Sequence, residues 1–298
     1  MPASSRPPVS VVIPSKDKPA RLRLTLACLA RQADVDRPQV VVVDDSPAAT
    51  ARVVIDEAMR YLDLTEVAGP RRGRAAARNA GAGQATGGTL VFLDDDILVG
   101  ENFIAAHLAA VGDRSFYHGR LRELPASARL LRDLDGADRV AIAAAADRVA
   151  SGALGPRFRL VANALERAIE AMAAGQVTDV AWLGCVGANV SLRRTEWEEA
   201  GGFAEDFGNA WGCEDLEFGF RLCERGLRRV VAPDALGIHL SHARPGRWAE
   251  HSENMTKFVA MHPVASVRAL PVLLGADGSV EAYAAAVLAE TEQAGALA

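Results

Sequence analysis

The chain is poor in several features that would narrow its function. Its 298 residues include four cysteines, Cys28, Cys185, Cys213 and Cys223, and no two of them form a C-x-x-C pair. That spacing excludes a zinc knuckle or dithiol redox motif, and the thiols read as small buried groups. Basic residues are not in excess, since the formal net charge is −5. The run Arg71, Arg72, Arg74, Arg78 is too short and local to form a nucleic-acid-binding face. No stretch approaches the roughly 18–20 apolar residues that span a bilayer. Met1–Pro8 is polar and proline-rich, without the apolar centre of a signal peptide, so a cytoplasmic protein is expected. Repeats, low-complexity linkers and coiled-coil heptads are missing too, and oligomeric state is not legible.

Half of the residues are apolar, and they fall into short alternating segments. Val9–Ile13, closed by Pro14, and Val40–Val43 are β-branched runs of the kind found in buried parallel strands. Thr89–Leu93 is a third such run, and Leu64–Val67 predicts a shorter strand. Between them, helices are expected over Ala20–Ala33, Thr50–Tyr61 and Gly73–Gly83. Strands spaced by helices build a doubly wound, mainly parallel α/β sheet. Ligands of such sheets bind at the carboxyl ends of the strands. Two acidic clusters, Asp44-Asp45 and Asp94-Asp95-Asp96, fall at such ends.

From 112 to 175 the chain reads as a helical insert, with a helix over Arg157–Ala174. Strands are expected again over Val177–Val186 and Gly187–Leu192, then a helix near Leu216–Arg225 and a strand near Arg229–His239. Val280–Glu290 predicts a helix.

Four constellations could carry chemistry. Three adjacent acids repel one another, and a hard divalent cation on Asp94-Asp95-Asp96 relieves that repulsion while leaving sites for phosphate oxygens; a solvated helix cap is the plainer alternative. Glu214-Asp215 opens a helix after a glycine-rich turn, as a helix cap or as a proton-accepting pair. A helix N-terminus lowers a carboxylate pKa, so a base there needs burial and neighbouring acids to raise it. His239 and His242 end a strand, where residues three apart point to opposite faces. Only one, His239 by preference, would then reach a given site. Arg74 and Arg78 follow Gly73 at a helix start suited to a diphosphate.

Together these segments resemble the family 2 glycosyltransferases of the GT-A fold, and Trp211-Gly212-Cys213-Glu214-Asp215-Leu216-Glu217-Phe218 is similar to the chondroitin-polymerase-type and galactosyltransferase-like members. The resemblance covers Val9–Pro14, Val40–Ser46, Gly73–Gly81, Leu90–Asp96, Gly187–Arg194 and Gly212–Leu222, in the family's order. It implies a Rossmann-like mixed sheet and a transferase domain over 1–265. The nucleotide-binding half would cover about 9–100, the helical insert 112–175 and the acceptor half 176–262, with a C-terminal extension over 266–298. It further implies transfer of a sugar from a nucleotide-diphosphate donor, a UDP-sugar first, to an acceptor hydroxyl, with Mn²⁺ or Mg²⁺ as cofactor.

By the same resemblance, Pro14, Ser15, Lys16 and Asp45 would line the nucleoside pocket. Arg74 and Arg78 would lie near the diphosphate or base. Asp94, Asp95, Gly187 and Asn189 would contact the donor. Asp96, Asp94 and His239 would hold the metal. Asp215 would be the base of an inverting reaction, with Glu214, Trp182 and Trp211 at the acceptor. A retaining outcome on the same fold stays open, as does a sugar-nucleotide-binding protein that kept the fold and lost turnover, although the acidic triplet, the Glu214-Asp215 pair and His239 argue against the latter. A nucleotidyltransferase would carry a Gly-rich basic loop after the first strand, which Ser15-Lys16-Asp17-Lys18 matches poorly. Lys16 and Asp17 also stand where many members have an aromatic residue and Asn. The Gln-x-x-Arg-Trp signature of processive members is missing, although Arg244-Pro245-Gly246-Arg247-Trp248 echoes it, so single addition is expected.

Overall fold

The computed structural model describes residues 9–35, 37–110, 112–243, 245–274 and 278–296. Met1–Pro8 and Arg244, the first residue of the Arg-Trp echo, lie outside them. The N-terminal part runs β1 (Val9–Ser15), α1 (Pro19–Leu29), β2 (Gln39–Asp44), α2 (Arg52–Ala58), β3 (Asp63–Ala68), α3 (Arg74–Gln84) and β4 (Thr89–Leu93). Val11–Ile13, Val40–Val43 and Leu90–Leu93 are fully buried, as strands covered by helices on both faces must be. Pro19 opens α1 at a position where its missing N–H costs nothing.

Next come β5 (Ile97–Val99), α4 (Phe103–Ala110), β6 (Ser115–Glu123), α5 (Ser127–Asp133), α6 (Arg139–Ala150) and α7 (Ala164–Ala173). The chain continues through β7 (Asn189–Arg193), α8 (Arg194–Glu199), α9 (Glu214–Glu224), β8 (Arg228–His239) and α10 (Arg247–Met261), and ends in α11 (Ala265–Arg268), α12 (Leu270–Leu274) and α13 (Val280–Ala296). The eight strands form one sheet in the order β3-β2-β1-β4-β7-β6-β8-β5. β1–β4 pair in parallel, β7 is antiparallel to both β4 and β6, and β6 runs parallel to β8.

Two expected segments differ. The insert is not wholly helical, because β6 threads the middle of the sheet. Its sequence, Ser-Phe-Tyr-His-Gly-Arg-Leu-Arg-Glu, hides the strand behind polar residues whose partners are distant. His118 Nε2 meets Glu166 Oε1 of α7 at 2.8 Å, and Arg122 pairs with Glu170. The expected helix over Arg157–Ala174 also begins later, at Ala164, where the Asn163 side chain accepts from Glu166 N. Val177–Val186 is not a strand. It carries a single 3-10 turn, Ala181–Gly184, pressed so closely on α9 that a Cβ on Gly219 would lie 2.3 Å from Cys185 Cβ. Packing here overrides β propensity.

Residues beyond 265 share a core with the rest. Val267, Leu270, Leu273 and Tyr283 join Trp182, Phe220 and Phe258 in one buried cluster.

Candidate active site

The order β3-β2-β1-β4 reverses direction between β1 and β4, and the crevice outside such a switch point is where open α/β sheets bind ligands. A cavity of about 270 Å³ lies there, lined by Pro14–Lys18 at the end of β1, Asp45 after β2, Gly73, Arg74 and Ala77 at the start of α3, Asp94 and Asp95 after β4, and Asn209. Asp45 is buried and its Oδ1 accepts from Arg71 N at 2.5 Å. Gly73 has φ +99°, and a Cβ there would sit 1.8 Å from Gly208 O. Only glycine lets the start of α3 touch the loop that leads to Trp211.

The acids after β4 divide their work. Asp94 is half-exposed at the cavity and meets Arg78 at 2.9 Å. Asp95 turns inward, accepting from Ser15 Oγ at 2.8 Å and Lys18 Nζ at 3.3 Å. Burial raises its pKa to about 7 against the pull of Lys18. Asp96 faces both histidines: His239 Nε2 is 3.5 Å from its Oδ1, and His242 Nδ1 is 3.6 Å from its Oδ2.

The expectation that one histidine alone would reach the site fails because β8 stops at His239. The chain then turns, and the two rings stand 5.8 Å apart on the same side. One ligand atom from each of Asp96, His239 and His242 falls within 4.8 Å of the others. The buried atoms Asp96 Oδ1 and His242 Nδ1 have no hydrogen-bond partner among the described residues, and buried polar atoms are seldom left so. A divalent cation fits these donors.

Glu123, at the end of β6, supports the group. Its Oε2 lies 2.7 Å from His239 Nδ1 and accepts from Ser241 Oγ at 2.6 Å. A carboxylate on one imidazole nitrogen leaves the other directed at a metal. Burial alone would lower the His239 pKa, but Asp96 and Glu123 outweigh it and hold it at about 10. Sequence reasoning missed Glu123 because it missed β6. The assumed strand made His239 and His242 alternatives, with His239 preferred, whereas both face Asp96.

The second acidic pair opens α9. Cys213, at φ +73°, turns the chain into the helix. Asp215 Oδ2 accepts from Gly187 N and its Oδ1 from Leu216 N, both at 2.9 Å. Burial first, and then Glu214, raise its pKa to about 6 against Arg78 and these two N–H groups. Burial and Glu214 thus outweigh the lowering expected of a carboxylate at a helix start. Glu214 is buried, and its Oε1 receives Arg78 at 2.9 Å. Arg78, with its side chain 2% exposed, therefore joins both acidic clusters at once. A Cβ on Gly187 would come within 2.5 Å of its guanidinium carbon.

Around Trp211, α10 fixes the loop. Glu250 Oε2 accepts from Trp211 N at 3.0 Å, and Asn254 donates to the carbonyls of Ala210 and Gly212.

Two expected contact residues lie elsewhere. Asn189 is fully buried, with Oδ1 against His107 Nε2 at 2.9 Å and Nδ2 donating to the carbonyls of Arg120 and Ala235. It closes the irregular pairing of β6 with β8 instead of reaching a donor. Trp182 is wedged between Phe220 and Phe258, inside the core.

Residues 10–121 match the family described as Glycosyl transferase family 2, and residues 176–243 match the one described as N-terminal domain of galactosyltransferase. The chain belongs to the family 2 glycosyltransferases and has their GT-A fold. It is 32% identical over 272 residues to the validoxylamine A glucosyltransferase of Streptomyces hygroscopicus subsp. limoneus, an alignment spanning 86% of this chain but 57% of that protein. Against the hyaluronan synthase of Pasteurella multocida it is 26% identical over 232 residues, 73% of this chain and 23% of that one.

Among solved structures, it resembles the mannosyltransferase PcManGT of Pyrobaculum calidifontis in complex with GDP-Man and Mn²⁺. The TM-score is 0.59 and the identity 21%, over 97% of this chain and 76% of that one. S. aureus TarS 1-349 in complex with UDP-GlcNAc is similar at TM-score 0.54 and 16% identity, over 85% and 66% of the two chains. No described helix is long and apolar enough to cross a membrane.

Proposed function

We propose that the protein transfers a sugar from a nucleoside diphosphate sugar to an acceptor hydroxyl with inversion at the anomeric carbon. The observation that carries this reading is Asp215, whose carboxylate is fixed by two backbone N–H groups and whose pKa burial and Glu214 raise to about 6. A base works best with a pKa near the operating pH. Asp215 takes the acceptor proton as the hydroxyl attacks. The N–H groups of Gly187 and Leu216 hold it in place, and Trp211 flanks the acceptor.

Pro14, Ser15, Lys16 and Asp45 take the nucleoside, while Arg74 and Asp94 face the phosphates and ribose. Asp96, His239 and His242 hold the metal, and two imidazoles favour Mn²⁺ over the oxygen-seeking Mg²⁺. When bound, the cation would neutralise the diphosphate leaving group.

By their names, the Streptomyces relatives move glucose onto validoxylamine A, so UDP-glucose is the first donor to test, with GDP-sugars second. Proton NMR of the product's anomeric centre is the deciding experiment. A configuration opposite to the donor's is expected, and an unchanged one would remove Asp215 from the role of base.

A further inference from the structure

A lysine stands beside the three metal-site side chains. Lys18 follows β1 by three residues, and its ammonium lies 2.7 Å from Asp96 Oδ2 and 3.3 Å from Asp95 Oδ1. Its side chain is only 25% exposed. Asp96 Oδ2 is also the oxygen nearest His242 Nδ1, at 3.6 Å. A divalent cation held by Asp96 and the histidines would share this carboxylate with the ammonium, and two cations on one carboxylate repel. Lys18 also lines the cavity, together with Lys16, Arg74 and Asp94. Its flexible four-carbon stem gives the ammonium a short path from Asp96 into the space the diphosphate would take.

We propose that Lys18 is an intramolecular competitor of the metal, resting on the metal-dependent donor site proposed above. It neutralises Asp95 and Asp96 until a divalent cation enters, and then swings into the cleft to meet the donor phosphates. Metal alone binds weakly because it must displace an ammonium. Metal and nucleoside diphosphate bind cooperatively, because the second ligand receives the cation that the first one releases. Lys18 is thus a positioning residue that ties metal loading to donor loading.

The test is Mn²⁺ binding to the full chain, followed by electron paramagnetic resonance with and without UDP or GDP. Wild type, Lys18→Met and Lys18→Arg are compared. In wild type, the nucleotide should tighten Mn²⁺ binding by about 5- to 150-fold, the usual range of coupling between sites. Lys18→Met should bind Mn²⁺ alone about tenfold more tightly and lose most of that coupling. Lys18→Arg keeps the charge and should keep the weak binding of Mn²⁺ alone.

Unchanged or weaker Mn²⁺ binding by a folded Lys18→Met protein overturns the proposal and leaves the metal site standing. Absence of coupling in wild type overturns it without recourse to any variant. Failure of every protein to bind Mn²⁺ overturns the metal reading and this inference together.

Discussion

The cleft carries two acidic centres made of the same chemical group, and the protein drives them in opposite directions. At the end of β4, burial would raise the Asp96 pKa, but His239 and Lys18 outweigh it and hold the carboxyl well below the usual carboxylate range. At the start of α9, burial raises Asp215 to about 6, Glu214 adds to the rise, and Arg78 offsets only part of it. Burial pushes both carboxyls upward, so neighbours decide the sign. Asp96 has cations of its own. Asp215 must share one arginine with Asp94 and Glu214. An acid that stays ionised suits a cation, whereas an acid titrating near neutrality suits proton transfer.

The largest expected effect breaks the comparison at its proton-taking end. Asp215→Asn keeps the shape and, with Asp215 as the proposed base, should lower turnover about 10²- to 10⁴-fold. The melting-temperature shift given by Mn²⁺ with nucleotide should survive. Loss of that shift would place Asp215 in the donor pocket instead.

Arg78→Leu attacks what joins the two centres. It leaves Glu214 buried without its cation, which should cost about 3–5 kcal/mol of stability by urea unfolding. A wild-type midpoint in that variant would show that Arg78 does not hold the site together.

At the other end, Glu123→Gln releases His239. Mn²⁺ affinity by titration calorimetry should drop about 10- to 100-fold with the fold intact, and no change would remove Glu123 from the metal site.

The smallest effect is a pH profile. Asp215 accepts a proton only when ionised, and its pKa is raised to about 6. kcat/KM should therefore fall about tenfold per unit as pH drops below about 6 and level off above it. A profile flat down to roughly pH 4, the range of an ordinary carboxylate, would erase the contrast between the two centres.

How much of this was legible varies along the chain. β1, β2 and β4 announce themselves because buried parallel strands are written in consecutive β-branched residues, and Asp45 and Asp94–Asp96 follow from the position of strand ends. β6 was illegible because His118 and Arg122 look like surface residues until α7 supplies Glu166 and Glu170. Asn189 and Trp182 were misplaced for a related reason. Each is conspicuous in a motif-bearing segment, but side-chain direction is set by packing partners far away in sequence.

The sequence by itself determined the strand-helix alternation, the carboxyl-end acids, the Glu214-Asp215 pair and the family resemblance, since all of these are local patterns. Tertiary structure alone decided that both His239 and His242 turn toward Asp96, that Glu123 backs His239, that Lys18 lies on the metal-site carboxylate and that Arg78 joins the two acidic centres. Those pairs are separated by as many as 146 positions, between Asp96 and His242. Electrostatic coupling depends on distance through space, and no spacing along a chain encodes it until the sheet has closed.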